Sequence, residues 1–311
     1  MKVLVTGGAG FIGSHLVERL VERGDRVTVL DDLSAGKVSN LGQVLSKIQF
    51  RVQSVEDYQA VHTITKGIDV IFHLATQCLV KGNEDPLMIH QVNDIGTYNV
   101  CVAAKEHGCK IVFIGTSEMY GQQTKISINE EAIPNPVSLY GMTKIVGEQY
   151  VRFFNDIYGV PAVCIRPFNT FGPRQREDKY SGVVTSFLKQ IKQNKPFIIG
   201  GDGKQTRDFS YVSDIVEGIL LLSELSGGEV VNLGSEKETS ILELADAVTR
   251  SWLEKEDFSV DIVFEDPRIN DLKKLKADVS LAKSYGYSSK VSLQEGMDRY
   301  VAWYKGCFGR V

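Results

Sequence analysis

Two short stretches of this chain carry side chains whose types and spacing suit proton chemistry. In "SLYGMTK", Tyr140 and Lys144 stand four apart. On a helix that spacing puts both on one face, where the ammonium would hold the phenol well below its usual pKa of about 10. The tyrosine could then act as a general base near neutral pH. In "TSEMYG", Thr116, Ser117 and Glu118 set two hydroxyls and a carboxylate side by side, just after the apolar run "KIVFI" where a buried strand should end. A hydroxyl there can hold a reacting oxygen, and a carboxylate can take a proton from carbon. In isolation each feature has a bland counterpart: an accidental surface pair for Tyr140 and Lys144, and a loop cap or ion pair for Glu118. The elements around them decide between the readings.

Those elements alternate. Short β-branched runs ("KVLV", "RVTVL", "IQFRV", "DVIFHLA", "KIVFIG", "AVCIRPF") are separated by longer helical patterns. Such alternation predicts β-α units around a parallel sheet with helices on both faces, a doubly wound α/β domain of the Rossmann type. The first unit contains "VTGGAGFIGSH", where Gly7, Gly10 and Gly13 are spaced three apart and Gly8, Gly10 and Gly13 fit G-x-G-x-x-G. Glycines there allow a tight turn and close approach of a pyrophosphate, and the helix that starts at Phe11 and Ile12 turns its free N–H groups to the phosphates. Asp31, in "VTVLDD", stands where a carboxylate accepts from the adenosine ribose hydroxyls and repels a 2′-phosphate, which favours NAD over NADP. Asp32, Ser34 and Lys37 follow; Lys37 keeps NADP open, although a solvated surface lysine is the simpler reading.

After Pro167 the rhythm changes to "FGPRQREDKYSG", a helix through Lys192 and the glycine-rich "IIGGDGKQTRD". Further on come a helix over 214–225, the strand "EVVNLG", a helix over 241–252 and an amphipathic end at "SLQEGMDRYVAWY". The expected organisation is a dinucleotide-binding domain over 1–167, with about 212–234 packing back onto it, and a smaller, interleaved substrate domain over 168–211 and 235–311.

With 311 residues, 43% apolar and 24% charged, the chain can bury one large core or two unequal ones. A net charge of −4 supplies no basic field for nucleic acid or an anionic membrane. No apolar run reaches membrane-spanning length and the first residues lack a signal peptide's pattern, so a cytoplasmic protein is expected. The five cysteines are scattered without C-x-x-C or metal-ligand spacing, which points to reduced thiols and no metal.

Through "TGGAGFIGSH", "DDLSAGK", "HLAT", "TSEMYG", "YGMTK", "RPFNTFGPRQ" and "RDFSYVSDI", nearly end to end, the chain resembles the extended short-chain dehydrogenases/reductases that modify nucleotide sugars: 4-epimerases, 4,6-dehydratases and UDP-glucuronate decarboxylases. The resemblance implies a nucleotide-diphosphate sugar as substrate and Thr116, Tyr140 and Lys144 as the set that oxidises the sugar at C4. It places His73, Leu74 and Ala75 beside the cofactor, with Val55, Pro167 and Ser54 as further contacts. Ser54 replaces the aspartate the family usually has for the adenine. Asn169, Val183, Arg207 and Arg268 become the implied substrate contacts, together with Thr116, Ser117 and Glu118. From the residues themselves, Arg207 and Arg268 can supply guanidinium forks to two phosphates, with a surface ion pair of Arg207 and Asp208 as the alternative, and Arg174 and Arg176 are read as solvating a loop, with reach to the ligand as the alternative.

At the position of Glu118 the family's epimerases usually have a small residue, whereas its 4,6-dehydratases have a carboxylate that removes the C5 proton. The decarboxylases also show Thr-Ser-Glu, with a later arginine where this chain has Leu275. The resemblance therefore implies a 4,6-dehydratase first, with decarboxylase, 4-epimerase and a non-catalytic dinucleotide sensor as alternatives. A homodimer is expected from helices over 92–102 and 140–151, where Val100, Ile145 and Phe153 exceed one sheet-facing stripe.

Overall fold

A computed structural model describes residues 1–78, 84–123, 125, 127–178, 181–253, 260–267 and 272–309. Its first strand, β1 (Lys2–Thr6), is buried at four of five residues. Val3 and Val5 enter one core and Leu4 the other, which is why the strand is apolar throughout rather than alternating. The same logic produces β2 (Arg26–Leu30), β4 (Val70–His73), β5 (Lys110–Ile114) and β6 (Ala162–Pro167), while β3 (Gln49–Arg51) is a short strand paired only to β2. Between them run α1 (Phe11–Glu22), α2 (Tyr58–Thr65), α3 (Pro86–His90), a π-helical turn (Gln91–Ile95), α4 (Gly96–His107) and α5 (Leu139–Tyr158).

The chain continues through β7 (Asn169–Phe171), α6 (Val183–Lys192), β8 (Phe197–Gly200), β9 (Thr206–Tyr211), α7 (Val212–Leu222) and β10 (Gly227–Leu233). Then come β11 (Glu238–Ser240), α8 (Ile241–Leu253), β12 (Ile262–Glu265), β13 (Lys274–Leu275), α9 (Ser280–Ser284) and α10 (Leu293–Phe308). The main sheet is parallel, in the order β10-β6-β5-β4-β1-β2-β3. A second sheet is built around β9, with β7 and β13 parallel to it and β11 antiparallel, and β8 pairs with β12.

Strand order reverses between β1 and β4, whose carboxyl ends are level because Thr6 pairs with His73. In such sheets ligands bind beyond the carboxyl ends at this reversal. One core lies under α1 and α7, through Leu16, Val17, Leu20, Ile215 and Ile219, and extends to Phe187, Met297 and Tyr300 of the later elements. The other lies under α2, α4 and α5, through Val61, Val100, Val151 and Phe154. Each such side chain contributes roughly 1.5–3 kcal/mol when fully buried. Val100 is therefore a core residue and leaves the set of surplus apolar residues assigned to a partner. Phe153 is half exposed.

Candidate active site

One continuous cleft of about 420 Å³ opens at the carboxyl edge of the main sheet. Its floor is the glycine turn. Gly7 has φ +70°, and a Cβ on Gly13 would lie 2.2 Å from the Gly7 carbonyl oxygen, so only glycine lets α1 begin this close to β1. Among the described residues no side chain caps the start of α1, and the position a Gly10 Cβ would take meets only the Gly7 carbonyl oxygen, at 3.1 Å. The first N–H groups of α1 therefore face the cleft, an arrangement that fits a pyrophosphate. The buried Asp31 accepts from the Ala9 N–H and the Leu33 N–H, both at 2.9 Å, and lines the cleft beyond the turn. Burial raises its carboxyl above the usual range.

Phe11, Ile12, Asp32, Ser34, Ser54, Val55, Leu74, Ala75 and Pro167 all line the same cleft. The Ser54 hydroxyl donates to the Glu56 carboxylate at 2.8 Å and accepts from the Glu56 N–H at 3.2 Å. Lys37 is exposed and does not reach the wall. His73 is behind the wall: Thr6 bonds its Nδ1 at 2.7 Å and Thr97 its Nε2 at 2.9 Å. Because the Thr97 hydroxyl donates to the Asn93 carbonyl at 2.6 Å, Nε2 carries the ring proton. Burial, reinforced by the Lys144 charge, lowers the His73 pKa to about 3 and keeps the ring neutral.

Thr116, Ser117, Glu118, Tyr140 and Lys144 converge on the cleft from two elements. Thr116 caps the 3-10 turn Ser117–Tyr120, its hydroxyl accepting from the Glu118 N–H at 3.3 Å. Ser138 caps α5 in the same way, accepting from the Gly141 N–H at 3.1 Å. A Cβ at Gly141 would lie 2.9 Å from the Glu118 carbonyl oxygen, so glycine permits the first turn of α5 to press against the 3-10 turn. Buried Arg166 on β6 fixes the two together. It forks onto Glu148 of α5 at 2.8 and 2.6 Å, and it donates to the Tyr120 hydroxyl of the 3-10 turn at 2.7 Å. Tyr120 in turn donates to Asn232 of β10 at 2.8 Å. A buried fork of this kind sets geometry more than it adds stability.

The electrostatics depart from the sequence expectation. Tyr140 bonds to Thr116, yet burial raises its phenol to about 12, and the nearby Glu118 charge adds to the rise. Burial lowers the Lys144 amine to about 7. The lysine does not act as the charge that depresses the phenol, because desolvation dominates at both groups.

The sequence reading missed several wall residues. The π turn aims Asn93 so that it accepts from the Gln77 N–H at 2.8 Å and donates to the Thr143 hydroxyl at 2.9 Å, tying the loop after β4 to α5 between Tyr140 and Lys144. Gln77, Cys78 and Gln175 also line the cleft, as do Arg174 and Arg176, whose reach to the ligand the sequence held as an alternative. Among the substrate residues read from sequence, Asn169 lies on the wall with a buried Oδ1 that accepts no bond among the described residues. Val183 begins α6 and Arg207 donates to the Thr206 and Leu272 carbonyls at 2.8 and 2.6 Å; neither is on the wall. Arg268 lies outside the described residues. No helix among the described residues is long and apolar enough to cross a membrane.

Comparison with known proteins agrees with this geometry. Residues 3–234 match the model of the NAD dependent epimerase/dehydratase family. A putative UDP-glucose 4-epimerase of Methanocaldococcus jannaschii is 34% identical, with 97% of this chain and 98% of the relative covered. A UDP-N-acetyl-alpha-D-glucosaminuronate decarboxylase of Bacillus cytotoxicus is 33% identical, with 98% of each covered. Among solved structures, a UDP-glucose 4-epimerase of Thermotoga maritima, with UDP-glucose, superposes with a TM-score of 0.92 at 35% identity, covering 99% of both chains. The dTDP-glucose 4,6-dehydratase DesIV of Streptomyces venezuelae, with NAD bound, gives 0.91 at 27% identity, covering 98% of this chain and 97% of that one. On its glycine turn, its cleft and these likenesses, the chain belongs to the NAD-dependent epimerase/dehydratase family of nucleotide-sugar enzymes.

Proposed function

We propose that the protein is a nucleotide-sugar 4,6-dehydratase working through a transient 4-keto sugar. The observation that carries the reading is Glu118, a carboxylate on the cleft wall in the same 3-10 turn as Thr116 and close enough to Tyr140 for its charge to be felt there. NAD, when bound, accepts and returns hydride at the sugar carbons. Thr116 holds the 4-hydroxyl, and Tyr140 takes its proton as the phenolate, a form that burial alone disfavours and that the positive charge of bound NAD would favour. Lys144, with an amine that changes charge near neutral pH, stands one helical turn from Tyr140. A ketone at C4 acidifies the C5 hydrogen, which Glu118 removes as the C6 hydroxyl leaves with a proton as water. Asn169, whose Oδ1 accepts no bond among the described residues, contacts the nucleotide-sugar, and Arg207 and Arg268 are retained as further candidates for it.

A 4-epimerase is the second reading, favoured by the likeness to 4-epimerases at 34–35% identity. Leu275, fully buried on β13 where the decarboxylases of the resemblance have an arginine, counts against decarboxylation. The five free thiols suit a reducing, cytoplasmic setting, and the exposed apolar faces of the α3–α4 segment and α5 suit a homodimer.

The deciding experiment weighs the products formed from UDP-, GDP- and dTDP-sugars. Loss of water supports dehydration, loss of carbon dioxide would mean decarboxylation, and unchanged mass with a new stereoisomer would mean epimerisation. Glu118→Gln should stop elimination, stall the enzyme at the 4-keto sugar and abolish exchange of deuterium into C5. Turnover equal to that of the parent overturns the dehydratase reading.

A further inference from the structure

The loop after β7 holds an arginine in an unusual state. Arg174 has φ +70°, a left-handed conformation that a long side chain adopts only when its surroundings impose it. Two contacts with α1 hold the loop here. His15, whose pKa burial lowers, is neutral and donates from Nε2 to the Pro173 carbonyl at 3.0 Å. Arg174 Nη2 meets Glu18 Oε1 at 2.6 Å, across 156 residues of sequence, with the two side chains only 14% and 17% exposed. Gln175 stiffens the loop from within, donating to the Thr170 carbonyl at 3.2 Å.

One end of this guanidinium is therefore committed. The other is not: Nη1 is buried, lies on a residue that lines the cleft, and finds no acceptor among the described residues. A buried, charged donor that finds no protein acceptor is costly, and a ligand, ion or ordered water at the cleft can supply one. Arg176, two residues on, has its guanidinium paired with Asp178 instead.

We propose that Arg174 is a diphosphate-binding residue, with Glu18 holding one arm of its fork so that Nη1 is presented to a phosphate oxygen of the bound ligand. A guanidinium suits this acceptor because its planar donors match the spacing of phosphate oxygens. Two ligands of this enzyme class carry a diphosphate, the dinucleotide and the sugar nucleotide, and the second source rests on the nucleotide-sugar reading above.

Calorimetric titration of the full chain separates them without any need for turnover. The probes are ADP-ribose for the cofactor and UDP, GDP and dTDP for the substrate, each compared with its monophosphate. Arg174→Gln should weaken one diphosphate by about 10- to 100-fold, the effect of losing a charge-assisted hydrogen bond, and weaken its monophosphate less. Arg174→Lys should recover part of the loss, and Glu18→Gln should cost less than about threefold. Loss confined to ADP-ribose assigns Arg174 to the cofactor, and loss confined to a nucleoside diphosphate assigns it to the substrate. If every ligand binds Arg174→Gln as it binds the parent, or if Glu18→Gln and Arg174→Gln weaken all ligands alike, Arg174 is only a brace between loop and helix and the proposal is overturned. Should the parent bind ADP-ribose but none of the nucleoside diphosphates, the nucleotide-sugar reading fails while the cofactor arm still tests Arg174.

Discussion

Tyr140 and Lys144 show how far burial can outweigh proximity. One turn apart on α5, they are driven in opposite directions, the phenol up to about 12 and the amine down to about 7, each keeping its neutral form more readily than in water. Tyr140 thus rests protonated and bonded to Thr116. Its one polar atom is the hydroxyl, so Tyr140→Phe preserves the ring's packing and removes the group that takes the 4-hydroxyl proton. Turnover should fall by about 10² to 10⁴ with an unchanged melting curve; near-normal turnover would move the base to Thr116. Both residues were legible because their spacing is a property of one helix. Arg174 was not, since its ion pair with Glu18 spans 156 residues of sequence, and no local pattern separates it from Arg176, which pairs with Asp178. For Arg207 the neighbouring Asp208 left a surface ion pair open beside the phosphate contact. Asp208 is instead buried, accepting from Ser235, Glu236 and Ala277 N–H groups, and Arg207 donates to backbone carbonyls.

At the scale of elements, the strands of the main sheet could be read because parallel strands covered on both faces must be apolar along their length. The helix read over 214–225 begins two residues earlier and ends three earlier, at Val212–Leu222, the margin within which helix ends fray. β7, β8 and β11–β13 have two to four residues each and exist only through their partners, so their sequences carry no period to detect. The π turn was equally hidden, although it positions Asn93. The start of α1 offers the sharpest test of an element. In Gly13→Ala the new methyl meets the Gly7 carbonyl oxygen at 2.2 Å and Gly8 Cα at 2.9 Å, so α1 must lift from β1. Overpacking of this kind costs roughly 1–3 kcal/mol, and NAD affinity should fall with it. Gly24→Ala, at φ +88° with nothing among the described residues within 4 Å of the new methyl, should cost only about 1 kcal/mol and leave NAD binding intact. Urea midpoints and NAD titrations of the two variants check the contrast.

For the whole molecule, exposed apolar side chains occur on two neighbouring helical segments, with Leu87 65% exposed on α3 and Phe153 and Ile157 50% and 63% exposed on α5, as well as at Ile133 and Phe264 elsewhere. A patch of this kind fits a homodimer built on helix faces. Phe153→Asp combined with Ile157→Asp should turn a dimer into a monomer in light scattering at micromolar protein, whereas a monomeric parent would refute the pairing. We also propose the division of the chain at residue 167, with 212–234 returned to the cofactor domain. β10, from that returning stretch, forms the edge of the main sheet beside β6, and its Asn232 accepts the hydrogen bond from Tyr120 beside the candidate site. This placement bears on birth as well as on catalysis. As the chain leaves the ribosome, β6 presents a bare apolar edge until Gly227–Leu233 emerge to cover it, on the order of several seconds later at about 5–20 residues per second. For that interval the nascent polypeptide carries an open pairing template, and the cell must either shield it or make the rest of the protein quickly.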